Sequence, residues 1–125
     1  MKDLLILGAG ESQFSPLPVT TETWGQNDIY QRHTIKYTRY FEVHPFTLLD
    51  GIWHRRGEDT FRGLGIQDYI LALDALDCPI YAQSSAPFKN KRPLPTLAFR
   101  PFFATTISYM LALAIKESFN SIYLS

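Results

Sequence analysis

The sequence predicts a single α/β domain in which about five mainly parallel strands form one sheet with helices on both faces. The first observation is that apolar runs with strand character alternate along the chain with runs at helical spacing. The second is that the chain opens on four consecutive apolar residues, 4–7, which is typical of a strand buried on both faces of a parallel sheet. A chain of 125 residues supports one core of ordinary size, so the domain covers residues 1–125.

The composition argues against several classes of function. Twelve basic and twelve acidic residues cancel, so no net field attracts nucleic acid or an anionic membrane. The one cysteine, Cys78, cannot form an internal disulfide, which fits a reducing compartment and a buried structural thiol. The chain opens without an export signal, and its most apolar later stretch, 102–115, is too short to cross a bilayer. We therefore expect a cytoplasmic protein that binds neither nucleic acid nor membrane.

Three strands are predicted in the first half of the chain. After the strand at 4–7, residues 20–25 are rich in threonine and end on a glycine, and residues 39–43 are stopped by a proline. A short helix over 28–33 lies between the second and third strands. The segment 47–65 shows no clear periodicity and receives no assignment.

The second half predicts two helices and two further strands, which complete a Rossmann-like order. A helix is expected over 66–76, a strand over 79–82, a second helix over 105–116 and a last strand over 121–125. Residues 83–101 form a long loop with four prolines and four basic residues, among them Lys89, Lys91 and Arg92, and it is either a lid over phosphates or a surface loop. The inner face of the first helix consists of Ile66, Tyr69, Ile70, Leu73 and Leu76.

The first strand ends on a glycine turn that suggests a ligand. Gly8, Ala9, Gly10 and Ser12 stand at the carboxyl end of that strand, where a backbone without bulky side chains can approach a phosphate. The third glycine of the dinucleotide fingerprint and the lysine of a Walker loop are both missing, so these residues alone give little support for NAD or ATP. The alternative is a tight turn that closes an ordinary strand.

Polar residues also follow the second and third strands. Asn27 is able to bond a base or a sugar, and its alternative role is to cap the helix at 28–33. His44 is a candidate proton donor or phosphate contact, and the alternative is a histidine with a purely structural role. Thr105 and Thr106 either cap the late helix or offer hydroxyl groups to a ligand.

No metal site and no cofactor are expected. His44 and His54 have no acids or cysteines around them at metal-ligand spacing. Arg55 and Arg56 have two interpretations: they meet a phosphate or a carboxylate, or they lie on the solvated face of a loop, which is the commoner outcome.

Three separated stretches carry a resemblance to a known family. Residues 5–12 read LILGAGES, residues 105–115 read TTISYMLALAI and residues 121–125 read SIYLS. They resemble the opening strand with Gly-Asn-Gly-Pro-Ser, the Thr-Ser-Gly-x-Tyr-Met helix and the Ile-Tyr-Leu-Ser strand of the bacterial sialyltransferases of glycosyltransferase family 42. Residues 24–27 and 41–45 occupy the places where that family supplies asparagines to the nucleotide. Archaeal hydroxymethylpterin diphosphokinase-like proteins and short phage-borne proteins share the opening and the late helix.

The resemblance implies a ligand and a set of binding residues. In the sialyltransferases these segments hold the CMP end of CMP-sialic acid, so the phosphate would face the glycine turn and the nucleotide would face Asn27. The donor sugar or phosphate would face the two threonines. The implied ligand-binding residues are Gly8, Ala9, Gly10, Ser12, Asn27, His44, Thr105 and Thr106.

The chain departs from that family at four motif positions and covers only its first half. Ala9 and His44 replace asparagines, Glu11 replaces a proline and Ile107 replaces a glycine. The family's catalytic histidine lies beyond the matching region, so His44 is the candidate for any proton transfer here. Without a helix after the last strand, one face of the sheet is thinly covered, and a homo-oligomer is a further expectation.

Three functions remain open. The first is a nucleotide- or nucleotide-sugar-binding domain of CMP type without complete catalytic machinery. The second is a small transferase that acts on a nucleotide-activated substrate with His44 as acid or base. The third is a structural or interaction protein that keeps the fold and has lost the ligand. The base, the sugar and the acceptor are left open by the sequence.

Overall fold

The computed structural model describes residues 2–8, 16–55, 60–61, 64–95 and 105–125, and among them six parallel strands form one sheet. The strand order is β10-β1-β2-β3-β8-β9, and two antiparallel pairs, β4-β5 and β6-β7, lie outside this sheet. The elements in chain order are β1 (Asp3–Ile6), β2 (Glu22–Gln26), a 3-10 helix (Ile29–Gln31), β3 (Arg39–Glu42), β4 (Phe46–Leu49), β5 (Ile52–Arg55), β6 (Thr60–Phe61), β7 (Leu64–Gly65), α1 (Ile66–Asp74), β8 (Ile80–Ala82), β9 (Lys91–Arg92), α2 (Thr106–Lys116) and β10 (Ser121–Leu124).

Alternation along β1 sends side chains into two separate cores. Leu4 and Ile6 pack in the core that α2 covers, whereas Leu5 and Leu7 pack in the core that α1 covers. All four side chains are at most 1% exposed. Burying each of them stabilises the fold by about 1.5–3 kcal/mol. The predicted arrangement, a mainly parallel sheet with helices on both faces, is therefore confirmed.

Each helix contributes one apolar face to its core. Four of the five predicted inner-face residues of α1 are buried, and Leu76, beyond the end of the helix, packs against the same core while partly buried. From α2, the side chains of Met110, Leu113 and Ala114 pack on Trp24 and other residues of the second core. Cys78 is buried, as predicted, and burial together with the charge of Asp77 raises its thiol pKa to about 11.

The structure corrects the assignments between the second and third strands and in the basic loop. The predicted helix over 28–33 is a 3-10 helix of three residues, Ile29–Gln31. The predicted loop 83–101 contains a strand, because Lys91–Arg92 pairs in parallel with β8 and forms the sixth strand of the sheet. Residues 96–101 of that predicted loop lie outside the described residues. The pairing extends beyond the strand, since the Ile80 N–H donates to the Asn90 carbonyl at 2.9 Å.

The unassigned segment 47–65 contains an antiparallel hairpin. Strands β4 and β5 pair from Leu49 with Ile52 to Phe46 with Arg55, joined by the two-residue turn Asp50-Gly51. Both turn residues have positive φ, 52° and 76°, which is the conformation of a type I′ hairpin turn. The hairpin therefore brings Arg55 back beside the start of β4.

A charged cluster joins the elements that start or end at the amino edge of the sheet, the edge where the parallel strands begin. The Arg39 guanidinium contacts Glu22, with Nε 2.9 Å from Oε1, and it forms a bidentate pair with Glu117 after α2. The hydrogen bond from Arg39 holds the pKa of Glu117 below its ordinary range. The Arg39 guanidinium also lies 5.0 Å from the centroid of the Trp24 ring. This cluster joins β2, β3 and the end of α2 at the amino edge of the sheet.

Within the described residues, neither helix has the length and apolar content required to cross a bilayer.

Candidate functional site

The candidate site lies at the carboxyl edge of the sheet, the edge where the parallel strands end. Gly8, Asn27 and His44 follow β1, β2 and β3, which are adjacent in the strand order. In register, Ile6 lies beside Trp24 and Gln26 beside Phe41, so β2 ends two residues and β3 three residues beyond the end of β1. The topology therefore brings these three sequence-predicted residues to one stretch of the carboxyl edge.

Gly8 has a structural reason to be glycine. Its N–H donates to the Ser125 carbonyl at 2.5 Å, and a Cβ at this position would lie 2.9 Å from the same oxygen. Real Cβ atoms do not approach that closely, so a larger residue would push β1 and β10 apart at this end. The other predicted residues of the glycine turn, Ala9, Gly10 and Ser12, lie outside the described residues.

Asn27 is held in a left-handed backbone conformation with φ 49°. Its N–H donates to the Phe41 carbonyl at 3.1 Å, and its own carbonyl accepts from the Tyr40 hydroxyl at 2.8 Å. The Oδ1 atom of its side chain is buried, and among the described residues it has no hydrogen-bond partner. The capping alternative is wrong, because Asp28 occupies the N-cap position of the 3-10 helix and makes no side-chain capping bond.

His44 is anchored by a buried carboxylate. The Nδ1 atom of His44 lies 2.6 Å from Oε2 of Glu42, and the His44 backbone N–H donates to the same oxygen at 3.0 Å. The Glu42 side chain is 0% exposed, whereas that of His44 is 37% exposed. A carboxylate that accepts from Nδ1–H fixes the orientation of an imidazole ring and leaves Nε2 as the nitrogen with the lone pair.

Arg55 and Tyr69 bind the other carboxylate oxygen of Glu42, Oε1. Oε1 of Glu42 lies 3.0 Å from Nε of Arg55 and accepts from the Tyr69 hydroxyl at 2.8 Å. The Nη2 atom of Arg55 lies 2.7 Å from Nδ1 and 3.1 Å from Nε2 of His44. Arg55 therefore contacts both the Glu42 carboxylate and the His44 imidazole, and it holds these two side chains together at the end of β3.

The charges in this network explain how a carboxylate is tolerated in the core. Burial alone would raise the pKa of Glu42, but the hydrogen bond from His44 and the charge of Arg55 outweigh it, so the pKa lies below its ordinary value. Burial, followed by the neighbouring Glu42 charge, raises the pKa of Tyr69 well above its usual range. Glu42 therefore remains a carboxylate, and Tyr69 remains a hydroxyl donor to it.

Thr105 caps α2. Its Oγ1 accepts from the Ser108 N–H at 3.2 Å and lies 2.7 Å from the Ser108 hydroxyl. Thr106, the first residue of the helix, is 8% exposed. The capping alternative is thus observed for Thr105, while a contact of either threonine with a ligand stays a prediction.

Sequence reasoning missed Glu42 and Tyr69, and it favoured a solvated loop face for Arg55. That expectation is wrong for Arg55, which is 5% exposed and paired with a carboxylate, while Arg56 lies outside the described residues. A signal for Glu42 was available, because an acid inside an apolar strand of a parallel sheet needs a partner. In the described parts of the chain, no group of three or more histidine, cysteine and acidic side chains is arranged to hold a metal ion.

No family model, no curated protein and no solved structure matches this chain.

Proposed function

We propose that the chain is a nucleotide- or nucleotide-sugar-binding domain whose ligand lies at the carboxyl edge over β1, β2 and β3, with a CMP-type ligand favoured. The observation that supports this proposal is that Gly8, Asn27 and His44 follow three adjacent parallel strands. Adjacent strands lie about 4.8 Å apart, so the three strands span roughly 10 Å across the sheet. Ligands of open α/β sheets bind outside the carboxyl ends of the strands, and a nucleoside phosphate fits this span.

The side chain of Asn27 gives the proposal its chemical detail. Its buried Oδ1 is an acceptor without a partner among the described residues, and a buried acceptor left unpaired destabilises the fold. A ligand that donates a hydrogen bond would satisfy it. The exocyclic amine of cytosine and the hydroxyl groups of ribose are both donors, which agrees with the CMP-type ligand implied by the resemblance.

The experiment is a thermal-shift series with CMP, CDP, a CMP-sugar, GTP, NAD and S-adenosylmethionine. We expect CMP and the CMP-sugar to raise the melting temperature, because a ligand at 100 times its Kd stabilises the folded state by about 2.7 kcal/mol. The Asn27→Gly variant keeps the left-handed backbone and removes the amide, so CMP should bind it about tenfold more weakly.

The matched control is Asp50→Gly, which changes a residue of similar φ, 52°, in the exposed turn of the β4-β5 hairpin. It should bind CMP like the wild type. If no nucleotide changes the melting temperature, the binding proposal fails and the structural or interaction protein becomes the better interpretation. If Asn27→Gly and Asp50→Gly lose the same amount of CMP affinity, the loss is not specific to Asn27, and Asn27 is not part of the site.

A second candidate is a small transferase that uses His44 as a general base, and the geometry of Glu42 and His44 favours it. An imidazole oriented by a buried carboxylate, with its ring partly exposed at the carboxyl edge, is suited to accept a proton from an acceptor hydroxyl once that hydroxyl displaces Nη2 of Arg55, which lies 3.1 Å from Nε2. His44→Ala should then leave CMP-sugar binding largely intact and reduce turnover by about 10²–10⁴-fold. Turnover that is unchanged in this variant would leave His44 as a structural contact.

A further inference from the structure

A cavity of about 580 Å³ opens at the carboxyl ends of β8 and β9, on the far side of β3 from Gly8 and Asn27. This volume lies in the range of small-molecule sites. In the described part of the chain, its wall combines two strand ends with a residue of α2. The described lining includes Ala82, Gln83, Ser84, Arg92, Leu94 and Tyr109.

Among the described residues, the charged side chains in the lining are positive. Lys91 and Arg92 contribute two cations, and no acid accompanies them in the described part of the lining. The Lys91 ammonium is already engaged, because it donates to the carbonyls of Ser84 and Ala86 and so holds the turn after β8. Arg92 is exposed, and one of its five N–H donors bonds to the Lys91 carbonyl at 3.2 Å. Arg92 is therefore the group in the lining best able to receive an anion.

The remainder of the lining is mainly apolar and includes one aromatic ring. Tyr109 is 9% exposed and comes from α2, while Ala82, Pro93 and Leu94 supply aliphatic surface from the two strand ends. Apolar walls with a few polar groups are the composition typical of ligand sites. A flat organic body packs well against an aromatic ring and aliphatic carbons.

We propose that this cavity binds a small ring-bearing acid, whose carboxylate or phosphate meets Arg92 and whose ring packs against Tyr109 and Leu94. The cavity also adjoins the end of β3, because Gln83 in its wall donates to the carbonyl of Val43 at 2.9 Å. The proposal does not depend on nucleotide binding at Gly8 and Asn27, since it uses none of those residues.

The test is a titration of the isotope-labelled protein, followed by amide NMR, with phenyl phosphate, benzoate and neutral benzyl alcohol as probes. We expect at least one of the two acids to shift the amide signals of Ser84 and Leu94, with a Kd on the order of 1 mM for a fragment of this size. Benzyl alcohol should bind about tenfold more weakly, because it lacks the charge-assisted bond. The tighter of the two acids identifies the preferred anion.

Two variants decide whether Arg92 is the receiving group. Arg92→Gln should weaken binding of the acid about tenfold and leave benzyl alcohol unchanged. Lys89→Gln is the matched control, because it removes one positive charge from the same loop at a side chain outside the lining. The Lys89→Gln variant should bind the acid with the same affinity as the wild type. Equal losses in the two variants, or no shift at Ser84 and Leu94 with either acid, would overturn the proposal.

Discussion

Replacing Arg55 by methionine tests whether the buried charge network holds the carboxyl edge together. Arg55 is 5% exposed and Glu42 is 0% exposed, so the variant leaves a buried carboxylate without its cation. Three hydrogen bonds to Glu42 would remain, from the Tyr69 hydroxyl at 2.8 Å, from His44 Nδ1 at 2.6 Å and from the His44 N–H at 3.0 Å. Removing one partner of a buried ion pair typically lowers the free energy of unfolding by about 3–5 kcal/mol, and we expect Arg55→Met to fall in this range at pH 7.

The dependence of this loss on pH follows from the pKa of Glu42. In the wild type, the pKa of Glu42 lies below its ordinary value of 4.5. The stability that Glu42 contributes is therefore fully present above about pH 4.5, and it is lost as the pH falls through the lowered pKa of the folded state. Without Arg55, burial should raise the pKa of Glu42, and the variant should then lose stability as the pH rises above 4.5. The difference between the two proteins should therefore grow from pH 4 to pH 7.

Urea unfolding at pH values from 4 to 7.5 measures this difference. The double variant Arg55→Met with Glu42→Gln removes both charges, and it should be more stable at pH 7 than Arg55→Met alone. Arg92→Met is the control for loss of an exposed arginine, and it should change the free energy of unfolding by less than about 0.5 kcal/mol. A loss in Arg55→Met that is the same at pH 4 and pH 7, or a double variant less stable than the single one, would refute the argument from the buried charge.

Three further predictions concern single contacts, and chemical denaturation measures each of them. Tyr69→Phe should lower the free energy of unfolding by about 1.5–3 kcal/mol at pH 7, because it removes a hydrogen bond to a buried carboxylate; an unchanged value would mean that this bond is not formed in solution. Gly25→Ala should destabilise by about 1–3 kcal/mol, because its Cβ would lie 2.4 Å from Cε2 of Tyr40. Gly65→Ala, where a Cβ would meet none of the described residues within 4 Å, should destabilise the protein less, and the reverse order would contradict this explanation. Thr105→Ala should cost about 1 kcal/mol through loss of the α2 cap, whereas Thr105→Ser should retain most of the stability; equal losses would argue against the cap.

Five of the six sheet strands and both α-helices could be predicted in their order, because they depend on local patterns. The apolar run at 4–7 and the helical spacing at 66–76 are local, and each corresponds to an observed element. Strand β9 left no such signal. It has two residues, and its place in the sheet depends on bonds to β8, such as the one between Ile80 N–H and the Asn90 carbonyl. When a strand forms mainly through its hydrogen bonds to a neighbouring strand, the local sequence carries little information about it.

Part of the His44 network could also have been deduced from the sequence. The pair Asp50-Gly51 between apolar residues is a strong signal for a two-residue hairpin turn. Counting back from that turn pairs Arg55 with Phe46, two residues after His44, as the structure shows. The contact of Tyr69 with Glu42 has no such signal, because it joins residues 27 positions apart across the packing of α1 on the sheet. Tertiary packing alone determines that contact.

The bond between Gly8 and Ser125 has a practical consequence for protein engineering. It places Ser125 at the carboxyl edge, beside the first strand of the candidate site, whereas Lys2 lies near Glu22 and Glu117 at the amino edge. A purification tag fused after Ser125 would emerge beside Gly8 and would compete for space with a ligand of the proposed site. A tag attached on the amino-terminal side of Lys2 would emerge at the opposite edge. The same geometry makes Ser125 a suitable attachment point for a fluorophore that reports on occupancy of the site.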